Sequence, residues 1–301
     1  FMAHMNERFD DRKTAIIAKY TPLSTQELQG GAFDIDWFQE CYRLLGEKNF
    51  GILYNAAKYI SDGQKHSRAR KYADAATGKV TLEHLRGEIS TKRNKDLLMS
   101  YSLVPFAKNR QKDLLARYQF IQQFAKEAKQ FGAQRRASET AAAQTALVNL
   151  SVHAGFTDVT RLILNMETEL IQEFVPYLRW TAVEDVEICL NINELGKSEI
   201  LCRKKEKPLK SLPSRLKKNT YVLAVKEAHK TLKEQYVRTK KLMEEAMENG
   251  DLFTTAETAG LFRNPVVKAI LAPLVFVCGK KSGFVRTDLN DGGKCCLVDC
   301  K

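Results

Sequence analysis

Helical periodicity in residues 113–180 constrains the fold of this chain more than any other feature of the sequence. Apolar residues recur there at the i, i+3, i+4, i+7 spacing that places them on one face of a helix. The first stripe ends at Phe131, an alanine-rich second segment ends at Gly155, and a third stripe begins at Val159. Gly132 either splits the first two segments or only weakens one long helix, and the sequence leaves both alternatives open. In either case these residues predict a helical core.

The residues before this run predict further helices. One helix begins near Asp34 or Asp36 and ends at Gly46, because glycine readily adopts the left-handed conformation that closes a helix. A second helix follows it and breaks at Asp62-Gly63. Residues 1–31 lack such a pattern and predict a weakly ordered leader.

The pattern changes after Trp180. Apolar residues alternate between 183 and 192, a turn follows, and residues 198–202 return as a partner strand, which together predict a β-hairpin. A long helix is expected from residue 219 to residue 249, where Gly250 ends it. Turn residues near the C-terminus separate short apolar runs that predict short antiparallel strands.

These patterns predict a mainly α fold. We expect a leader at 1–31, a multi-helix N-terminal bundle at 32–180, and an α+β portion at 181–301 with a hairpin, a long helix and short antiparallel strands. The chain contains no run of eighteen apolar residues, so we expect no helix that spans a membrane. It begins with phenylalanine instead of methionine, and we expect it to be a fragment of a longer polypeptide.

The cysteines favour a cytoplasmic protein with reduced thiols. Their number, seven, is odd, and their spacing fits no disulfide framework. Cys295, Cys296 and Cys300 cluster near the C-terminus, but Cys278 has no close second cysteine to complete a zinc site. We therefore interpret these thiols as buried or incidental, and predict no metal ion and no cofactor.

A polar cluster on the central helices is the most promising candidate for a ligand site. Arg135 and Glu139 are four residues apart on one helical face, and Arg161 and Glu167 follow on the next helix. If the helices fold back on each other, these side chains would pair inside the bundle. The cluster is either a structural network that fixes helix register or an anion or ligand site between helices. The candidate residues are Gln134, Arg135, Ser138, Glu139, Arg161 and Glu167.

Two basic stretches favour nucleic acid as an alternative partner. Residues 64–95 hold nine lysine or arginine residues against three acidic ones, and residues 203–218 hold eight against one. Such stretches are either solvated faces or an electrostatic footprint for phosphates. The candidate nucleic-acid-binding residues are Lys65, Arg68, Arg70, Lys71, Lys204, Lys205 and Lys210.

Several short strings in the central stretch resemble a known group of bacterial proteins. They are Phe131-Gly132-Ala133-Gln134-Arg135, Ser138-Glu139, Asn149-Leu150, Ala154-Gly155-Phe156, Asp158, Arg161-Leu162 and Met166-Glu167. Related strings continue downstream at Gln235, Arg238 and Asn264-Pro265-Val266. They resemble an uncharacterised family of domains found in very large proteins, some labelled molybdate metabolism regulators and some carrying a WGR domain. The resemblance implies a regulatory module from the C-terminal part of a longer chain, and it brings no catalytic residues.

Three functional hypotheses follow. The leading one is a non-enzymatic regulatory or scaffold module of a larger bacterial protein, which acts through another protein or the remainder of the parent polypeptide. It depends on the absence of the phosphate-loop, dinucleotide-binding, zinc-protease and hydrolase motifs. The second is nucleic-acid binding through residues 64–95 and 203–218. The third is an enzyme of unrecognised type that uses the central arginine and glutamate cluster.

Overall fold

The protein consists of two compact units, Phe1–Leu162 and Ile163–Lys301. A computed structural model describes residues 11–60, 66–288 and 294–298. Helices dominate both units, and the second unit also contains two small antiparallel sheets. The predicted fold class, mainly α with a later α+β portion, is therefore confirmed. No helix in the described part of the chain is long and apolar enough to cross a membrane.

The first unit is built from helices alone in its described residues. Their order is α1 (Asp11–Ile17), α2 (Thr25–Gly30), α3 (Ile35–Ile60), α4 (His66–Ala76), α5 (Leu82–Lys92), α6 (Lys95–Tyr101), α7 (Arg110–Glu127) and α8 (Ala133–His153). A ninth helix, α9 (Val159–Phe174), contains the boundary between the two units. The core of the first unit surrounds α6, which packs against α4, α5 and α8 and buries Leu98 and Tyr101 completely.

A glycine stands at two of the breaks between helical segments. Gly46 interrupts α3 at φ 72° and ψ 163°, a conformation that residues with a Cβ rarely adopt. Gly132 precedes the first residue of α8, and a 3-10 turn at Ala128–Gln130 separates α8 from α7. The alternative in which Gly132 splits the central segment is therefore the one observed.

Part of the segment expected to be a weakly ordered leader is helical. Ser24 and Glu27 form a capping box at the start of α2, in which each side chain bonds to the backbone of the other residue. Leu28 in the same helix is buried. A serine followed three residues later by a glutamate is a sequence signature of a helix start, so this capping pair predicts α2 where the hydrophobic pattern does not.

The second unit contains a four-stranded sheet that packs on a long helix. Its strands are β1 (Thr181–Val183), β2 (Val186–Ile192), β3 (Ser198–Lys204) and β4 (Lys207–Pro208), in the spatial order β1-β2-β3-β4. Antiparallel pairing of Ile188 with Cys202 and of Leu190 with Ile200 confirms the predicted hairpin. Alternate residues of β2 face the long helix α10 (Thr220–Asn249) and share its core.

The long helix has the predicted ends. The Asn219 side chain accepts backbone hydrogen bonds at the first turn, and Gly250 ends the helix in the left-handed conformation. Two short helices follow, α11 (Thr255–Leu261) and α12 (Pro265–Leu271). The C-terminal sheet has the order β5-β6-β7, formed by β5 (Val275–Cys278), β6 (Lys281–Asp288) and β7 (Lys294–Val298).

Candidate functional site

Arg93 organises the polar cluster of the first unit. It is the residue that follows α5, and its backbone is left-handed at φ 48°. Its guanidinium donates to the Glu139 carboxylate, with Nη2 at 2.7 Å from Oε2, and to the Glu127 carboxylate at 2.8 Å. It also donates to the Phe124 carbonyl at 2.9 Å and lies 4.0 Å from the centre of the Phe124 ring. Arg93 thereby joins the end of α5 to α7 and α8.

Glu139 is held by two guanidinium groups. In addition to the bonds from Arg93, its Oε1 accepts from Arg135 Nε at 2.9 Å. Burial raises the pKa of the Glu139 carboxyl, but the hydrogen bonds from Arg93 and Arg135 outweigh burial, so that the pKa lies below its ordinary value. Such a carboxylate is a poor proton acceptor near neutral pH, where a general base needs a pKa close to the working pH.

The remaining candidates in the first unit have separate partners. Ser138 Oγ accepts a hydrogen bond from Lys95 Nζ at 2.6 Å, and Gln134 is exposed on the first turn of α8. Arg161 donates to the Asp158 carboxylate, three residues earlier on the chain. The structure thus brings Arg135, Ser138 and Glu139 to one end of α8, and it adds Arg93 and Lys95, which the sequence pattern had not singled out.

Glu167 belongs to a buried polar cluster in the second unit. Its carboxylate Oε1 accepts from Arg238 of α10, at 3.0 Å from Nε and 2.7 Å from Nη2. Its backbone carbonyl accepts from the Gln235 amide at 2.8 Å and from the Asn264 amide at 3.0 Å. Asn264 also caps α12 through its side-chain oxygen. One residue of α9 is therefore bonded to α10 and to the start of α12.

The first basic stretch is largely engaged within the protein. Arg68 donates to the Asp96 carboxylate at 2.8 Å and to the Gln29 carbonyl, and Lys71 lies 3.7 Å from the same carboxylate. The guanidinium of Arg70 lies 4.4 Å from the centre of the Tyr54 ring. Lys65 lies outside the described residues.

The second basic stretch begins with paired side chains. Arg203 bonds to Glu187 at 2.8 Å and lies 4.3 Å from the exposed Trp180 ring. Lys204 pairs with Asp185 at 2.6 Å, and Arg215 pairs with the same carboxylate. Five further lysines are exposed and have no ion pair among the described residues. They are Lys205, Lys207, Lys210, Lys217 and Lys218.

The cysteines give no sign of a metal centre in the part of the chain that the structure describes, because no group of three histidine, cysteine or acidic residues converges there. Cys189 and Cys202 are buried, and burial raises the pKa of both thiols. The side chains of Cys295, Cys296 and Cys300 lie outside the described part.

Helix α3 exposes large apolar side chains. Ile52 and Tyr59 are seven residues apart on one helical face, and Tyr59 is 80% exposed. Leu53 is also exposed beside them, and Leu44, before the break at Gly46, is 69% exposed. Isolated exposed apolar residues are ordinary on soluble proteins, but several on one helix are less common.

Two family models match the chain. A family of unknown function (DUF5724) matches residues 1–166, and a domain of unknown function (DUF4132) matches residues 207–300. Because the first match covers more than half of the sequence, the chain belongs to the DUF5724 family. No curated protein matches the chain significantly. No solved structure matches it significantly either.

Proposed function

We propose that this member of the DUF5724 family is a non-enzymatic regulatory or scaffold module of a larger bacterial protein in the cytoplasm. It docks through the apolar face of α3 onto another protein or onto the remainder of the parent polypeptide. The observation that supports this proposal is the exposure of Leu44, Ile52, Leu53 and Tyr59 on one helix. The resemblance of residues 131–167 to proteins labelled as regulators supports the regulatory part.

Burial of the exposed apolar side chains of α3 by a partner would be energetically favourable. Burying one leucine, isoleucine or aromatic side chain contributes about 1.5–3 kcal/mol. Ile52, Leu53 and Tyr59 lie on the same two turns of α3, so that a single partner surface can cover all three. Much of this burial free energy offsets the entropy that is lost on association. A stable complex therefore also needs contacts from the rest of the interface.

The experiment is site-specific photo-crosslinking in the full-length parent protein. A benzophenone amino acid replaces Tyr59 in one variant and Val237 in the control, since Val237 is a comparably exposed apolar residue on α10. We expect the Tyr59 variant to give one discrete product that maps to a single protein segment, and Leu53→Asp to suppress that product. The same pattern from both positions, or no product from Tyr59, would refute the proposal.

The second candidate function is nucleic-acid binding, and the exposed lysines of residues 203–218 favour the second basic stretch as its interface. Arg68 and Lys71 of the first stretch share the Asp96 carboxylate, whereas five exposed lysines of residues 203–218 have no ion pair among the described residues. Unpaired lysines bind phosphates by releasing counterions, so that affinity falls steeply as the salt concentration rises. The candidate interface is therefore the second stretch.

Fluorescence anisotropy with labelled DNA and RNA across a salt series tests this candidate. Lys205→Glu with Lys210→Glu should weaken binding by about tenfold or more. The matched control is Lys240→Glu with Lys241→Glu, because these exposed lysines already pair with glutamates on α10. Equal losses in the two double variants would indicate a response to net charge alone, and no binding at low salt would eliminate the candidate.

A further inference from the structure

One edge of the C-terminal sheet has no strand beside it in the described structure. Strand β5 pairs only with β6, whereas β7, at the opposite edge, packs against α11. The turn between β5 and β6 has two residues and begins with Gly279 at φ 62°, as in a type II′ hairpin. Cys278 and Lys281 close this turn, and the closing pair of such a turn exchanges backbone hydrogen bonds. Along an antiparallel ladder, hydrogen-bonded pairs alternate with pairs that are not hydrogen-bonded to each other.

This register determines which backbone groups point outward. If Cys278 and Phe276 bond to β6, the N–H and C=O groups of Val275 and Val277 face the open edge. No backbone hydrogen bond from either residue to another described segment occurs at that edge. The β5 edge thus presents alternating donors and acceptors for an additional strand.

The outer face of the same sheet is apolar with basic margins. Val275, Val277 and Phe284 are exposed there, and Val277 reaches 74% exposure, while Phe276 and Val285 face the core. Lys280 and Lys281 lie at the turn, and Arg286 is exposed farther along β6.

We propose that the β5 edge binds an extended segment with alternating apolar residues and acidic flanks, which adds to the sheet as a fourth strand. Backbone bonds to Val275 and Val277 would supply affinity, and the valine and phenylalanine side chains would contact the apolar residues. Lys280, Lys281 and Arg286 select acidic flanks. A second copy of this chain is a poorer occupant, since its formal net charge is also +12.

The test measures binding of a fluorescent peptide in which alternating valines and threonines are flanked by pairs of glutamates. The comparison peptide carries lysines in the flanks. Val277→Pro removes an outward N–H but keeps the bonds to β6, and Val277→Thr is the matched control that retains the donor. We expect the wild-type protein to bind the acidic peptide. Val277→Pro should lower that affinity by about tenfold or more, whereas Val277→Thr should leave it unchanged.

Lys280→Glu with Lys281→Glu is a second variant that leaves the edge backbone intact, so that the test does not depend on how Val277→Pro folds. This double variant should bind the acidic peptide more weakly and the lysine-flanked peptide more tightly than the wild-type protein does. Equal affinity for both peptides, or affinity unchanged in Val277→Pro and in the double variant, would overturn the proposal. Self-association in sedimentation that Val277→Pro abolishes would assign the edge to a second copy and would overturn it as well.

Discussion

Replacing Glu139 with glutamine should destabilise the first unit of the protein. This change removes the charge of a carboxylate that is 3% exposed and accepts hydrogen bonds from Arg93 and Arg135. The amide retains one oxygen for Arg93, but its NH2 group cannot accept the second guanidinium. Arg93, itself only 9% exposed, then keeps Glu127 as its one carboxylate partner among the described contacts.

The expected magnitude comes from the number of charged hydrogen bonds that are lost. Each is worth about 1.5–3 kcal/mol, and breaking a buried ion pair costs about 3–5 kcal/mol. Because one acceptor oxygen and Glu127 remain, we expect Glu139→Gln to lower the free energy of unfolding by about 3 kcal/mol. Arg135→Gln is the matched control, since the Arg135 side chain is 53% exposed and an exposed pair contributes about 1 kcal/mol or less.

The two tryptophans allow each unit to be followed separately. Trp37 lies in the first unit and Trp180 in the second, so that Trp180→Phe leaves Trp37 as a reporter of the unit that contains Glu139. Urea unfolding followed by Trp37 fluorescence gives the free energies for both variants in this background. If Glu139→Gln lowers the free energy of unfolding no more than Arg135→Gln does, the buried pair of Arg93 and Glu139 does not stabilise the first unit.

The stability that the Glu139 carboxylate contributes should depend on pH. The pKa of Glu139 in the folded protein lies below its ordinary value of 4.5. The carboxylate therefore contributes its stability at pH values above 4.5 and loses it as the pH falls through the folded pKa. We expect the gap in unfolding free energy between the wild-type protein and Glu139→Gln to narrow over that acidic range, as measured by urea unfolding at successive pH values.

Three further changes can be measured by urea unfolding, with Trp37 as the fluorescent reporter of the first unit and Trp180 as the reporter of the second. Arg117→Met should cost the first unit about 3–5 kcal/mol, because it leaves the buried Asp113 carboxylate without its bidentate partner. Gly46→Ala should cost about 1–3 kcal/mol through backbone strain alone, since no atom within 4 Å would contact the added Cβ. Asn264→Ala should cost the second unit about 2 kcal/mol, because it removes a helix cap and a buried bond to the Glu167 carbonyl.

The elements that the sequence predicts well depend on adjacent residues. Gly250 ends the long helix, Gly46 breaks α3, and the turn at 193–197 closes the hairpin. In each case the determining residue lies inside or beside the element, so that the pattern is complete within a short window. The pairing of Arg135 with Glu139 was accessible for the same reason, because i, i+4 spacing places the two side chains together.

The partners that complete the polar clusters lie too far along the chain to be read locally. Arg93 is 46 residues from Glu139, and Arg238 is 71 residues from Glu167. Asp96, which pairs with Arg68 and Lys71, is likewise 28 residues from Arg68, so that local spacing does not predict this contact. Tertiary packing brings these groups together. Hydrophobic periodicity predicts the helices but does not predict which polar side chains become partners when the helices pack.

The bonds converging on the Glu167 carbonyl have a dynamic consequence. Gln235 and Asn264 both donate to this one oxygen, so that local separation of α9, α10 or the start of α12 would leave buried polar groups without partners. The three helices should therefore open as a single cooperative unit. In native-state hydrogen exchange, the slowest amides of these helices should share one opening free energy, and Asn264→Ala should lower that shared value in all three helices together.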